Sequence, residues 1–177
     1  MGTFSYYLAI SLDGFLARKD GSVDWLDPFF AKLDSPYDYE AYYETVDALI
    51  LGRKTFEACI TLGKGEYPYP GKPAWVITRN SAYEVTQEGV QLMTGNLRTS
   101  ISKIIDEYKG RVWLVGGGEL AGQLIDEGLI DEIVLTVAPV ILGQGLPWAA
   151  MVDNETSWQL AETYRADNGL VQLVYRS

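Results

Sequence analysis

The sequence contains no histidine and a single cysteine, Cys59. Without histidine the chain lacks the commonest general acid–base and any Ser-His or Cys-His nucleophile pair. One cysteine cannot form an intrachain disulfide, and without histidine partners it is a poor start for a metal site, so we expect none. The chemistry must therefore come from carboxylates, hydroxyl groups, backbone dipoles or a bound cofactor.

Long apolar runs and net positive charge are absent as well. No apolar run approaches the roughly 20 residues of a membrane span, and no secretory segment opens the chain, so we expect a cytoplasmic protein with no membrane partner. The 14 Lys and Arg against 24 Asp and Glu give a net charge of −10. Because such a field repels polyanions, we expect no nucleic-acid partner. The 177 residues predict a single domain over 1–177.

Short apolar runs alternate with helical patterns along most of the chain. The runs are rich in β-branched and aromatic residues, as in buried strands of a parallel sheet. They are Phe4–Ile10, Ala48–Leu51, Trp75–Ile77, Val112–Val115 and Ile133–Val137. Apolar residues at helical spacing, with shorter helical patterns elsewhere, predict four helices. These are Asp38–Val46, Arg53–Ile60, Ile101–Tyr108 and Leu120–Ile125. The alternation predicts an α/β fold with a mixed, mainly parallel sheet flanked by helices.

The C-terminal segment has a different pattern. Side chains alternate from Trp158 to Tyr164, and Asn168-Gly169 precedes the run Leu170–Tyr175. Asn-Gly is the preferred two-residue hairpin turn, so we predict an antiparallel C-terminal hairpin.

A buried strand runs into three glycines at Gly116, Gly117 and Gly118, and a helix follows. Glycine lets the backbone approach a ligand closely, and a helix N-terminus offers free N–H groups to an anion. We interpret this loop as a phosphate cradle; the alternative is a tight turn without a ligand. The loop formally fits a Rossmann fingerprint, but the acidic residue expected after the next strand is missing.

Two other strand ends carry cations and hydroxyl groups. Leu51 is followed by Gly52, Arg53, Lys54 and Thr55, and Ile77 is followed by Thr78, Arg79 and Asn80. Each of these groups can bind phosphate, although cations at a helix start also occur simply as solvated charges. In open α/β sheets ligands bind at the carboxyl ends of strands. Together with the glycine loop, these segments predict a nucleotide site.

With these segments in place, the chain resembles the dihydrofolate reductase-like fold. It is most similar to the C-terminal reductase domain of riboflavin biosynthesis and its small stand-alone relatives. The resemblance rests on five segments in family order. They are Ala9–Ala17, Leu51–Thr55, Val76–Arg79, Val115–Gly118 and Pro139–Gly145.

The resemblance implies NADPH as hydride donor and a homodimer. It implies a reductase that acts on a C=N or C=O bond of a small pyrimidine- or pterin-like heterocycle. The implied cofactor residues are Ala9, Leu16, Ala17, Gly52, Arg53, Lys54, Thr55, Thr78, Arg79, Asn80, Val115, Gly116, Gly117, Gly118, Glu119 and Leu120. Glu119 and Phe15 depart from the family, where basic residues are often found; Phe15 leaves the substrate open.

Hydride transfer suits a chain without histidine because the nicotinamide carries the difficult chemistry. The reduced bond still needs a proton, and the candidate donors are Asp13 and Asp38. The alternatives are a turn at Asp13-Gly14 and a helix cap at Asp38, with water as the donor. Asp13, Trp25, Asp27 and Thr136 are the candidate substrate-binding residues, and Trp25 fits a core position equally well.

Two further functions stay open at this point. The chain could be a catalytically silent NADPH-binding module. Alternatively, it could share only the fold, with glycines that serve the backbone and bind no ligand.

Overall fold

An eight-stranded sheet forms the centre of the protein in the computed structural model, which describes residues 2–29 and 34–177. The strands of this sheet and of a small second sheet are numbered in chain order. They are β1 (Thr3–Ser11), β2 (Phe15–Ala17), β3 (Val46–Gly52), β4 (Ala74–Ile77), β5 (Val90–Met93), β6 (Arg111–Gly116), β7 (Glu132–Ala138), β8 (Leu146–Pro147), β9 (Gln159–Arg165) and β10 (Val171–Arg176). The large sheet has the order β5-β4-β3-β6-β1-β7-β10-β9.

Seven of the eight strands of the large sheet run in the same direction, and β10 runs opposite to them. β1 pairs in parallel with β6 and β7, and β3 pairs in parallel with β4 and β6. β4 is also parallel to β5, whereas β10 is antiparallel to both β7 and β9. The predicted mixed, mainly parallel sheet with an antiparallel C-terminal hairpin is therefore confirmed.

Helices cover both faces of the sheet. They are α1 (Tyr39–Glu44), α2 (Arg53–Leu62), α3 (Leu97–Glu107) and α4 (Gly118–Asp126), with a 3-10 turn at Asp24–Phe29. The apolar stripes of α3 and α4 pack on the face that carries Phe4, Tyr6 and Leu8 of β1. α1 and α2 contribute Tyr42 and Phe56 to the other face. Burial of both faces explains why the strands read as continuous apolar runs.

Local signals set the helix ends. The Asn96 side chain accepts a hydrogen bond from Thr99 N at 2.9 Å and caps α3. Gly128, at φ 60°, follows α4 and takes the left-handed conformation that ends a helix. None of the helices in the described residues is both long enough and apolar enough to span a bilayer.

The first helix is shorter than predicted. Asp38 lies before its first turn, and Val46 belongs to β3, where its side chain is buried. The predicted helix extended too far at its C-terminal end because the Tyr-rich helix leads almost directly into a buried strand. The edge strand β5 and the two-stranded sheet of β2 and β8 were not predicted. They are short and mostly half-exposed, so their apolar pattern is weak.

The turn of the C-terminal hairpin also differs from the prediction. The pairing continues past the strand ends to Ala166 and Leu170, where Ala166 N donates to Leu170 O at 3.0 Å and Gly169 N donates to Ala166 O at 3.1 Å. The tip of the hairpin therefore has three residues, not two. Gly169 has φ 90°, the conformation that a three-residue loop requires at its last position. Asn168 instead donates its side-chain amide to Phe29 O at 3.2 Å.

Candidate active site

The carboxyl ends of five parallel strands lie along one edge of the sheet. β4, β3, β6, β1 and β7 are adjacent in that order and end at Ile77, Gly52, Gly116, Ser11 and Ala138. All the loops that the sequence marked therefore begin at the same edge. This arrangement allows them to contribute to one site, because parallel strands place their C-terminal loops together.

The segments Gly52–Thr55 and Gly116–Gly118, the two glycine loops, are in contact. A methyl group added at Gly117 would lie 2.9 Å from Thr55 Oγ1, and one added at Gly52 would lie 3.5 Å from Gly117 N. The Gly116-Gly117 peptide bond is cis. Gly52 and Gly117 are the residues that precede α2 and α4, so two helix N-termini open side by side. Their N–H groups and the Thr55 hydroxyl form a cradle without bulky side chains, which fits a phosphate.

The three cations near this cradle differ in how they are held. Arg53 Nη1 donates to Glu57 Oε1 at 2.8 Å, and its guanidinium lies 5.8 Å from the centre of the Tyr83 ring. Lys54 Nζ lies 3.4 Å from Glu119 Oε1, which joins the two glycine loops. Arg79 is exposed and makes no ion pair with any residue that the structure describes. Of the three, Arg79 is the cation whose charge is available to a ligand.

The loop after β4 is shaped by its own side chains. Asn80 N donates to Thr78 Oγ1 at 3.1 Å, and Ala82 N donates to Asn80 Oδ1 at 3.1 Å. Both oxygens are therefore used as acceptors within the turn, whereas the Thr78 hydroxyl hydrogen and the Asn80 amide hydrogens can be donated to a ligand.

The remaining candidate cofactor residues are exposed to different degrees. Leu120 and Ala17 are buried, whereas Ala9, Leu16 and Val115 are half-buried and the Glu119 side chain is largely exposed. Ala17 lies in β2, which pairs with β8 to form the small second sheet. The half-buried positions leave surface that a ligand can cover.

Asp13 has a structural role in this arrangement. Its carboxylate accepts hydrogen bonds from Ser11 Oγ at 2.7 Å, from Leu142 N at 3.0 Å and from Gly143 N at 2.7 Å. These bonds, first of all the one from Ser11, lower the pKa of Asp13. An ionised carboxylate that ties a loop to the end of β1 is a poor proton donor. The prediction that Asp13 supplies the proton therefore loses support.

Asp38 occupies a different setting. It is nearly buried at the start of α1, and its side chain makes no helix cap. Burial raises the pKa of the Tyr7 hydroxyl most strongly, and the negative charge of Asp38 raises it further. Thr136 is on the same face as Ala9, its register partner, and is buried. Asp38, at the start of α1, and Thr136 therefore both belong to the face of the sheet that carries Tyr7 and Ala9.

The other two substrate candidates lie outside this group. Trp25 is buried against Ala138 and Leu170, as an ordinary core tryptophan would be, and its Nε1 has no hydrogen-bond partner among the described residues. Asp27 is exposed on the 3-10 turn. Nothing in the described contacts links Asp27 to Asp38 or Thr136.

Two residues near Asp38 were missed by the sequence analysis. Tyr7 stacks on Tyr42 with ring centres 4.2 Å apart, and Gln172 donates its side-chain amide to Thr136 Oγ1 at 3.1 Å. The sequence analysis treated Tyr7 only as part of the apolar run Phe4–Ile10 that predicts a strand. Gln172 carried a faint signal, since it is a polar side chain within the strand run Leu170–Tyr175. No group of three or more metal-ligating side chains occurs in residues 2–29 and 34–177.

Comparison with known proteins agrees with the fold. The family model of the RibD C-terminal domain matches residues 69–172, more than half of the chain. The uncharacterized protein YwjB of Bacillus subtilis (strain 168) is 38% identical over 169 residues, which cover 96% of this chain and 94% of that protein.

Two solved structures extend the similarity to the whole chain. One is a putative riboflavin biosynthesis protein from Shewanella sp. PV-4, with 27% identity, a TM-score of 0.81 and 98% of both chains covered. The other is dihydrofolate reductase from Enterococcus faecalis in complex with NADP(H), with 20% identity and a TM-score of 0.68. That match covers 98% of this chain and 95% of the other. The predicted dihydrofolate reductase-like fold is confirmed.

Proposed function

The chain belongs to the family of the RibD C-terminal domain, and from this premise we propose that it is an NADPH-dependent reductase. Its substrate is a small pyrimidine- or pterin-like heterocycle with a C=N or C=O bond to be reduced. The observation that carries the proposal is the contact between the two glycine loops. They lie at the sheet edge where the loop of Arg79 also begins, and Arg79 makes no ion pair with any described residue. Family and fold relate the chain to reductases.

The cradle accounts for the phosphates of the cofactor. The N–H groups at the starts of α2 and α4, with the Thr55 hydroxyl, hold the pyrophosphate. Arg79 binds the 2′-phosphate, because its charge is not offset by a carboxylate as those of Arg53 and Lys54 are. Ala9, Leu16 and Ala17 contact the nicotinamide end, where the small side chains of Ala9 and Ala17 leave room for a ring. When bound, NADPH supplies the hydride.

The protein contributes the proton and the orientation of the substrate. Reduction of C=N adds a hydride to carbon and a proton to nitrogen, so one acidic group must face the nitrogen. Asp38 is nearly buried, its charge acts on the Tyr7 hydroxyl, and Gln172 links its turn to Thr136. The Asp38 carboxyl group binds the N–H side of the heterocycle and delivers the proton, directly or through one water.

The charge around Asp38 favours a substrate without a phosphate group. Asp38 lines an open cavity of about 500 Å³, and the described lining contains four carboxylates and no cation. The carboxylates are Asp34, Asp38, Glu40 and Glu44. These charges disfavour a phosphorylated substrate beside Asp38 more than a neutral or protonated heterocycle, although Tyr7 and Thr136 do not line this cavity.

Titration with NADPH and NADH, followed by nicotinamide fluorescence, tests the cofactor assignment. We expect saturable binding that is tighter for NADPH and weakens with added salt. Loss of nicotinamide absorbance is then measured with a panel of oxidised pyrimidines and pterins. Oxidation by at least one of them supports the reductase. Binding of NADPH without its oxidation by any compound would indicate a silent NADPH-binding module. If neither nucleotide bound, the chain would share the fold without the cofactor site.

A further inference from the structure

The loop that leads into α1 is fixed from a strand far away in the sequence. Residues Ser35 to Asp38 form a tight turn in which Asp38 N donates to Ser35 O at 3.0 Å and Tyr37 N donates to Ser35 Oγ at 3.0 Å. This turn presents Asp38, because α1 begins at the next residue and has only six residues. So short a helix does not hold its position by itself, since most helical stability comes from packing.

Gln172 of β10 binds this turn. Its amide oxygen accepts a hydrogen bond from Ser35 Oγ at 2.7 Å, and its amide nitrogen donates to Tyr37 O at 3.0 Å. The same nitrogen donates to Thr136 Oγ1 at 3.1 Å. Gln172 is fully buried. One side chain therefore joins the turn that carries Asp38 to the strand that carries Thr136.

An amide is the group that these three partners need. The carbonyl of Tyr37 and the oxygen of Thr136 both accept, whereas the Ser35 hydroxyl donates. A carboxylate in the same place could not donate to the first two, and an apolar side chain would remove one hydrogen bond from each of the three polar groups. The arrangement also uses the Thr136 oxygen as an acceptor, so the Thr136 hydroxyl hydrogen remains for another group on this face.

From these contacts we propose that Gln172 is a positioning residue for Asp38, and this rests on the proposed function. It fixes the turn Ser35–Asp38 against β7 so that the Asp38 carboxylate and the Thr136 hydroxyl face the same ligand. The side chain acts through Asp38 and touches neither substrate nor cofactor. Its effect must therefore be confined to the half of the site that contains Asp38, and it must disappear when the Asp38 carboxylate is removed.

A double-mutant cycle tests this with 2,4-diaminopyrimidine as the probe. Its protonated ring nitrogen and adjacent amino group pair with a carboxylate through two charge-assisted hydrogen bonds. We expect Asp38→Asn to weaken probe binding about tenfold to hundredfold and Gln172→Met to weaken it about tenfold. In the double variant we expect the affinity of Asp38→Asn alone, within about twofold, because residues that act as a unit are not additive.

Milder variants guard against loss of the fold. Ser35→Ala removes one of the three hydrogen bonds of Gln172 and also the bond from Tyr37 N to Ser35 Oγ. We expect it to weaken probe binding about threefold, within the usual range for neutral hydrogen bonds. Ser35→Thr keeps the hydroxyl donor and is expected to restore wild-type affinity. A structural defect at this position would not depend on whether the Asp38 carboxylate is present.

Several outcomes would overturn the proposal. These are additive losses in the double variant, wild-type affinity in Gln172→Met and Ser35→Ala, or a wild-type protein that binds no probe. NADPH affinity is measured on every variant and is expected to stay within about twofold of wild type. If the wild-type protein binds the probe as expected but does not bind NADPH, the proposed reductase function fails and the role of Gln172 stands.

Discussion

The two halves of the candidate site are built in different ways. The half over β3, β4 and β6 consists of short consecutive segments, Gly52–Thr55, Thr78–Asn80 and Gly116–Gly118, each attached to the end of a strand. The half over β1, β7 and β10 joins Asp38, Thr136 and Gln172, which are far apart in the sequence. The first half is a set of local motifs, and the second exists only after the sheet has formed.

Their charges differ as well. The half over β3, β4 and β6 offers two helix N-termini and three cations, of which two are partly neutralised by Glu57 and Glu119. The cavity at Asp38 is lined by carboxylates. Within one acidic protein, the two halves therefore suit ligands of opposite character: a phosphate-rich dinucleotide on one side and an uncharged or protonated ring on the other. Substitutions should separate the two.

The largest expected effect comes from Asp38→Asn. Loss of the proton donor should lower NADPH-dependent turnover by roughly 10²–10⁴-fold, the usual range for general acid catalysis. NADPH affinity should not change, because Asp38 belongs to the other half. Steady-state kinetics with any accepted heterocycle and a parallel NADPH titration measure both quantities. A parallel loss of NADPH affinity would mean that the halves are not independent.

Gly117→Ala is expected to act on the cofactor half. The added methyl group would lie 2.9 Å from Thr55 Oγ1, so it would displace the hydroxyl and narrow the cradle. We expect NADPH binding to weaken by about tenfold to hundredfold.

Gly118→Ala is the matched control for that substitution. Its methyl group would lie 2.1 Å from the backbone oxygen of Pro147, so the main effect should be a lower Tm. If Gly117→Ala lowered the Tm as much as Gly118→Ala and left NADPH affinity intact, the glycine would be structural.

Arg79→Ala tests which cation reads the 2′-phosphate. We expect NADPH binding to weaken about tenfold while NADH binding stays unchanged, because only NADPH carries that phosphate. Arg53→Ala should have a smaller effect, since Arg53 already pairs with Glu57 at 2.8 Å. Fluorescence titrations of both variants with both nucleotides decide the order. A larger effect of Arg53→Ala would reassign the 2′-phosphate to Arg53.

The smallest effect is expected for Asp13→Ala. Hydrogen bonds hold the folded-state pKa of Asp13 below its usual value, so its stabilising contribution is complete above the unfolded-state pKa of roughly 3.9. That contribution is lost as the pH falls through the folded-state pKa. At neutral pH the variant should unfold a few °C or less below wild type, and the difference should vanish in acid. Thermal unfolding across pH checks this, and turnover should survive.

The same contrast explains what could be predicted from the sequence. The glycine loops were recognised because strand, glycine and helix start are consecutive, and their meeting follows from parallel strand ends at one edge. Asp38 and Thr136 were named as candidates once a reductase was expected, because the reduced bond needs a proton donor and the substrate needs polar contacts. Gln172 and Tyr7 could not be assigned, because their roles depend on the register of β10 against β7 and on the packing of α1. No spacing within the chain encodes those contacts.

A crystal structure of the NADPH complex tests the central claim most directly. The account predicts the pyrophosphate between Gly52–Thr55 and Gly116–Gly118, the 2′-phosphate within reach of Arg79, and the nicotinamide near Ala9 on the side of Asp38. A dinucleotide bound away from the carboxyl ends of β3 and β6, or a nicotinamide that points away from Asp38, would contradict it.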